Sequence, residues 1–216
     1  MRRLSRVVVL PLLAALLGIA VVPPPGSGSI RAFDPDRVAD LELAMWRAYY
    51  AKQRARLFAL LVQTLREQYH FSYLTATTTG FHLAKAAATF GDASRNYERV
   101  LPDLEAAFAS VAAHSSAPFD PRRAAAAELS WWVARRTPGE NAPEQVGALM
   151  ADMYAVVYSA PRADVLEAAV LRARAGALRD AAAAHPDWET IRVLLQESYR
   201  QLRASLSTST SHRGDE

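Results

Sequence analysis

A chain of 216 residues that is 51% hydrophobic and 22% charged has the composition of a folded protein and the length for one core of ordinary size. Its formal charge of +3 sets 25 lysines and arginines against 22 acids, and the excess is Arg2, Arg3 and Arg6, so the body is neutral and lacks the basic face that binds nucleic acid. There is no cysteine, which excludes disulfides, thiolate nucleophiles and cysteine-ligated zinc or iron–sulfur sites.

The chain opens with MRRLSR, then VVVLPLLAALLGIAVV over residues 7–22, then PPPGSGS. A short basic region, an uncharged apolar run and a Pro/Gly/Ser exit form the pattern of a secretory signal or an uncleaved signal anchor, with the arginines left in the cytoplasm. The run spans roughly 24 Å as a helix, against a hydrocarbon core of roughly 30 Å, and Leu4 with snorkelling arginines extends it. No Ala-x-Ala site closes the run, and Gly26-Ser27-Gly28 lies behind three prolines. The expectation is therefore a signal anchor over residues 1–22, crossing the bacterial inner membrane through residues 4–22, with a linker over 23–33 and the body outside the cytoplasm. The alternative is a secreted or periplasmic protein after cleavage.

From residue 34 the pattern is helical. Asp34-Pro35, Asp120-Pro121 and His185-Pro186 each set a polar residue before a proline, and Asn141 precedes Pro143 by two; a capping side chain with proline at the first position starts a helix. The spacing predicts helices over 35–70, 72–90, 95–113, 121–136, 143–159, 162–184 and 186–206, with Pro102 either kinking or starting the third. No run of β-branched residues alternates with polar ones, so strands are not expected. Short connections favour antiparallel neighbours. The fold class is all-α: a bundle of about six to seven mostly antiparallel helices in a single domain, 34–206, behind the N-terminal membrane or signal helix. The tail over 207–216 is expected to be disordered.

Two helix faces stand out. The last helix repeats Trp188, Ile191, Leu195, Ser198 and Leu202 on one stripe, the mark of an amphipathic helix. The segment 72–89 sets Ser72, Thr75, Thr79, His82, Ala86 and Thr89 on another, nearly all small. Small residues admit close helix packing, with a polar groove around His82 as the alternative reading.

Residues 41–50, LELAMWRAYY, are echoed at 127–136, AELSWWVARR. Positions four apart share a helix face, so Glu42 lies a turn from Trp46, with Tyr49 or Tyr50 beyond, and Glu128 lies a turn from Trp131 and Trp132. A carboxylate beside a buried indole must find a partner or stay protonated; Arg47, Arg54, Arg135, His70, His82 and Lys85 are candidates. The first reading is architectural, two tryptophan anchors with rim carboxylates. The second is a ligand pocket lined by Glu42, Trp46, Tyr49, His82, Glu128 and Trp132.

Glu-x-x-His occurs once, at Glu67 and His70, without the second copy that a di-iron carboxylate bundle uses, and Gly-x-Ser-x-Gly, Walker and dinucleotide fingerprints are missing, so no catalytic residue, metal site or cofactor is assigned. The expectation is a membrane-tethered interaction or structural module with a membrane-associated protein partner. The alternatives are a bundle binding a small ligand or cofactor and, further off, an exported hydrolase using Glu42 and Glu128.

Overall fold

The computed structural model describes residues 20–23, 29–115, 118–182 and 185–211. Between Pro35 and Ser211 the protein forms eight α-helices and a 3₁₀ turn, and no strand occurs among the described residues. The helices are α1 Pro35–Tyr50, α2 Arg54–Tyr69, α3 Tyr73–Asp92, α4 Leu101–Ala113, α5 Pro121–Arg136, α6 Pro143–Tyr158, α7 Arg162–Ala181 and α8 Trp188–Ser211, with the 3₁₀ turn Tyr97–Val100 leading into α4. The membrane segment expected over 4–22 lies outside the described residues up to residue 19, and no described helix is long and apolar enough to cross a membrane.

The starts follow local chemistry. Asp34 accepts from the backbone N–H groups of Asp36 and Arg37 with Pro35 in the first turn, Asp120 does the same for Arg122, and Ser72 accepts from Thr75. Such caps satisfy amides that the helix cannot. Pro102 starts α4. Two expected caps move. Asn141 does not cap α6, whose first turn has no side-chain cap. The last helix begins two residues after Pro186, with Asp187 accepting from the Thr190 amide and hydroxyl.

Eight helices replace the expected six to seven because the stretch 35–70 is broken. Lys52 sits at φ 57° in the left-handed region, while Lys52 N–H donates to the Tyr49 carbonyl and Gln53 N–H to the Ala48 carbonyl. That is a Schellman stop with lysine where glycine is usual, which is why no glycine or proline marked it. At the other end α8 runs on through Ser211, into the tail expected to be disordered. Ser207 and Thr208 return their hydroxyls to the carbonyls of Arg203 and Ser205. The segment 23–33 is likewise not linker throughout: Ile30 and Phe33 are buried, Phe33 packs edge-on against Tyr199, and Arg31 donates to the carbonyls of Tyr158 and Ser159 at the end of α6.

Each helix packs on the next in the chain, and α8 returns to pack on α1. The chain is thereby a closed circuit of helices with one core. Side chains from α1, α2, α5, α6, α7 and α8 meet inside it. The tightest approach is between α6 and α7, where Gly147 faces the Val170 backbone so closely that a Cβ at Gly147 would lie 2.6 Å from the Val170 Cα. Gly147→Ala must push the helices apart. It is expected to lower unfolding free energy by about 1–3 kcal/mol, the usual range for overpacking, read as a lower urea midpoint at unchanged m value.

Candidate functional site

Glu42 is 2% exposed, a position a carboxylate holds only with strong partners. Arg172 on α7 supplies them in a fork: Nε lies 3.0 Å from Oε1 and 3.1 Å from Oε2, and Nη2 lies 2.6 Å from Oε1. The Tyr199 hydroxyl on α8 donates to Oε2 at 2.7 Å. Arg172 also shares a hydrogen bond with Tyr154 on α6. Burial works against the guanidinium charge, and the Glu42 carboxylate together with Tyr154 and Tyr199 more than offsets it, so the pKa of Arg172 is raised well above its ordinary value. Burial likewise raises the phenols of Tyr154, Tyr158 and Tyr199, which keeps them as donors. Tyr158 in turn accepts from Gln68 Nε2 at 2.7 Å and shares a hydrogen bond with Tyr69.

Glu128 has a different solution. Trp131 Nε1 donates to one oxygen at 2.8 Å and Trp132 Nε1 to the other at 2.9 Å. Both donors are neutral. Burial raises the pKa of Glu128, opposed by the Trp131 bond, the Arg172 charge and the Trp132 bond, and Glu42 pushes it up further.

Two cavities flank Arg172. The outer one, of about 360 Å³, is lined by Glu42, Trp46, Trp131, Arg135, Asn141 and Asp180 together with small and apolar residues of α6 and α7. The inner one, of about 120 Å³, is lined by Glu128, Gln68, Tyr69, Thr79, Tyr154 and Tyr199 among others. Arg172 belongs to both walls.

No protein-family model, curated protein or solved structure matches the chain.

The outer cavity is built by helical spacing. On α7, Arg172, Gly176 and Asp180 follow one another at four-residue steps; on α1, Glu42, Trp46 and Tyr50 do the same; on α5, Trp131 precedes Arg135 by four. The depth order is visible in exposure. The side chains of the Arg172–Glu42 pair are 18% and 3% exposed, whereas those of the Arg135–Asp180 pair are 30% and 46% exposed. One ion pair therefore forms the floor and the other the rim. Arg135 grips Asp180 through Nε at 2.9 Å and Nη2 at 3.1 Å, and the Tyr50 hydroxyl donates to the same carboxylate at 3.2 Å. Gly176 lies beneath this fork, and a Cβ there would meet the Arg135 guanidinium carbon at 3.5 Å, an ordinary van der Waals contact.

The six residues expected to share one pocket are divided. Glu42 and Trp46 line the outer cavity and Glu128 the inner one. Tyr49 is 60% exposed and stacks edge-on against Tyr50. Trp132 packs against Phe90. His82 joins Asp103 of α4 at 3.0 Å, with Lys85 on the same carboxylate at 2.9 Å, so its face of α3 serves helix packing and an ion cluster. Asp103 is held below the usual carboxylate range by the His82 hydrogen bond first and the Lys85 hydrogen bond next, against a smaller effect of burial.

The candidate partners of Glu42 and Glu128 go elsewhere: Arg135 to Asp180 and Lys85 to Asp103, and Arg47 over the Trp188 ring. Arg172 was missed. Its signal was present, because Arg172 and Arg179 fall on the α7 stripe of Val165, Ala168, Ala169 and Ala175, all buried, where an arginine has no reason to sit without a buried partner.

Removing one member of a buried pair leaves an uncompensated charge. Arg172→Ala is expected to cost about 3–5 kcal/mol, and the double variant Glu42→Leu with Arg172→Met to recover most of that loss; urea midpoints of the single and double variants check this. The Asp103 cluster predicts a pH dependence of definite sign. A carboxyl whose folded pKa is depressed adds stability above its unfolded pKa, and that stability is lost as pH falls through the folded value. Asp103→Asn should therefore be less stable than the parent at neutral pH. The gap should close as pH drops below the ordinary carboxylate range, as followed by thermal melts across that range.

Proposed function

We propose that residues 34–206 form a small-ligand-binding domain, carried outside the cytoplasm by the export segment at residues 4–22. The observation that carries this reading is the outer cavity. Its volume of about 360 Å³ falls within the range of small-molecule sites, roughly 300–1,000 Å³. Its wall combines two indoles, aliphatic side chains and a few fixed polar groups, the composition such sites share. The charged groups are fixed because each is already held: Glu42 by Arg172 and Tyr199, and Asp180 by Arg135 and Tyr50.

The same bonding disfavours hydrolysis by Glu42 and Glu128. Two-carboxylate chemistry needs both acids to flank one scissile bond, whereas these line different cavities with Arg172 between them. A second reading, an interaction module for a membrane-associated protein, is supported by the exposed side chains of Leu74 and Phe81, 55% and 62% accessible at a seven-residue spacing on α3, since exposed apolar patches mark contact surfaces.

The ligand-site reading is tested by thermal shift against a chemically broad set of small molecules. A true ligand raises the melting temperature with concentration, because it binds the folded state alone. Ala177 is partly buried on the cavity wall, and Ala177→Leu fills the space. Stabilisation of the parent and none of Ala177→Leu is the expected result. Equal stabilisation of both, or none of either, removes the reading.

A further inference from the structure

The wall of the outer cavity carries four charges, Glu42, Asp180, Arg135 and Arg172, and they cancel. Each acid is matched to its own arginine, Arg172 with Glu42 on the floor and Arg135 with Asp180 on the rim. An anionic ligand entering here meets no free cation, and a cationic one meets no free carboxylate. Either must break an ion pair or sit beside charges of both signs. A neutral ligand has neither difficulty.

Neutral does not mean apolar. The Arg135 fork uses Nε and Nη2 on Asp180, which leaves guanidinium hydrogens on Nη1. Asp180 oxygens have lone pairs beyond those taken by Arg135 and Tyr50. Asn141, exposed on the same wall, adds an amide with donors and an acceptor. The rim is thus a row of alternating donors and acceptors. A fully apolar ligand would cover these groups without bonding them, which costs free energy. A ligand with neighbouring hydroxyls both accepts from Arg135 and donates to Asp180, because a hydroxyl has one hydrogen and two lone pairs.

The other wall asks for a flat apolar face. Trp46 borders the cavity, and among the described residues no aromatic ring or cation stacks on it. Val146, Met150, Ala173 and Ala177 complete the apolar lining. A molecule with a face of C–H groups and an edge of hydroxyls matches this arrangement; such a face buries indole surface while the edge stays in the polar plane.

We propose that the outer cavity binds a neutral polyhydroxylated ligand, a small saccharide, with its C–H face on Trp46 and its hydroxyl edge on Arg135, Asp180 and Asn141. The assignment rests on the ligand-site reading above and adds the chemical class.

Ligand-observed saturation-transfer NMR on the full chain tests both separately. The probes are neutral mono- and disaccharides, the matching uronic acids, and toluene as an apolar ring. The expected result is transfer to at least one neutral saccharide, abolished in Ala177→Leu, with affinity down about tenfold in Asn141→Ala, the loss of one hydrogen bond to a neutral group. Asn141 is exposed and caps no helix, so that variant leaves the fold in place, and melting curves of both variants verify it. Trp46→Leu should weaken the same saccharide more than tenfold. If a uronate or toluene binds in a manner that Ala177→Leu abolishes and no neutral saccharide does, the saccharide class is wrong and the ligand site stands. If no probe binds in a manner sensitive to Ala177→Leu, both are overturned.

Discussion

The fork between Arg172 and Glu42 is the constraint on which the interior depends. Two charges withdrawn from water lose several kcal/mol of hydration each, and only close geometry with every remaining polar atom bonded repays it. That requirement fixes α1 against α7 through the fork, α8 through Tyr199 and α6 through Tyr154. Hydrophobic contact alone tolerates sliding, whereas a bidentate fork at 2.6–3.1 Å does not. The closure of the circuit between α1 and α8 is thus set by a polar network as well as by apolar burial.

The echo between LELAMWRAYY and AELSWWVARR illustrates how one local pattern meets two environments. Both glutamates lie one turn from a tryptophan, as helical spacing requires. Glu42 has a cation, and Arg172 forks onto it in the core. Glu128 has two indole N–H groups instead, good hydrogen bonds without a full charge, and burial wins. A group whose folded pKa is raised, as at Glu128, contributes stability below its unfolded pKa that is lost as pH rises through the folded one. The difference comes from Arg172 on α7, 130 positions from Glu42 in the chain, and could not be read from either segment.

Local features were legible in the sequence, and long-range ones were not. The α5 boundaries at Pro121 and Arg136 coincide with the expectation because Asp120 and Pro121 act within one turn. The α8 stripe of Ile191, Leu195, Ser198 and Leu202 is buried as its period predicts. The break at Lys52 was hidden because its stop rests on backbone hydrogen bonds that a lysine can join but does not advertise. Among the site residues, Glu42 and Trp46 were placed together by spacing alone. Arg172, Arg135 and Asp180 entered the cavity through helix packing, which a single sequence does not encode in any local window.

The existence of a cavity at all follows from the composition of α7. A helix that carries Ala168, Ala169, Ala173, Ala175 and Gly176 on its inward side can approach a neighbour closely, as Val170 does at Gly147. Where the opposing helix offers no backbone at that distance, the same small residues leave volume unfilled. Along α1 the opposing side chain is Trp46, anchored on a helix whose position is already fixed by Glu42 one turn away. A void bounded by rigid groups is retained because collapse would cost more than the lost dispersion contacts, and with polar groups at floor and rim it is a space suited to a guest. The ion pair that ties α1 to α7 thus also forms part of the cavity's wall.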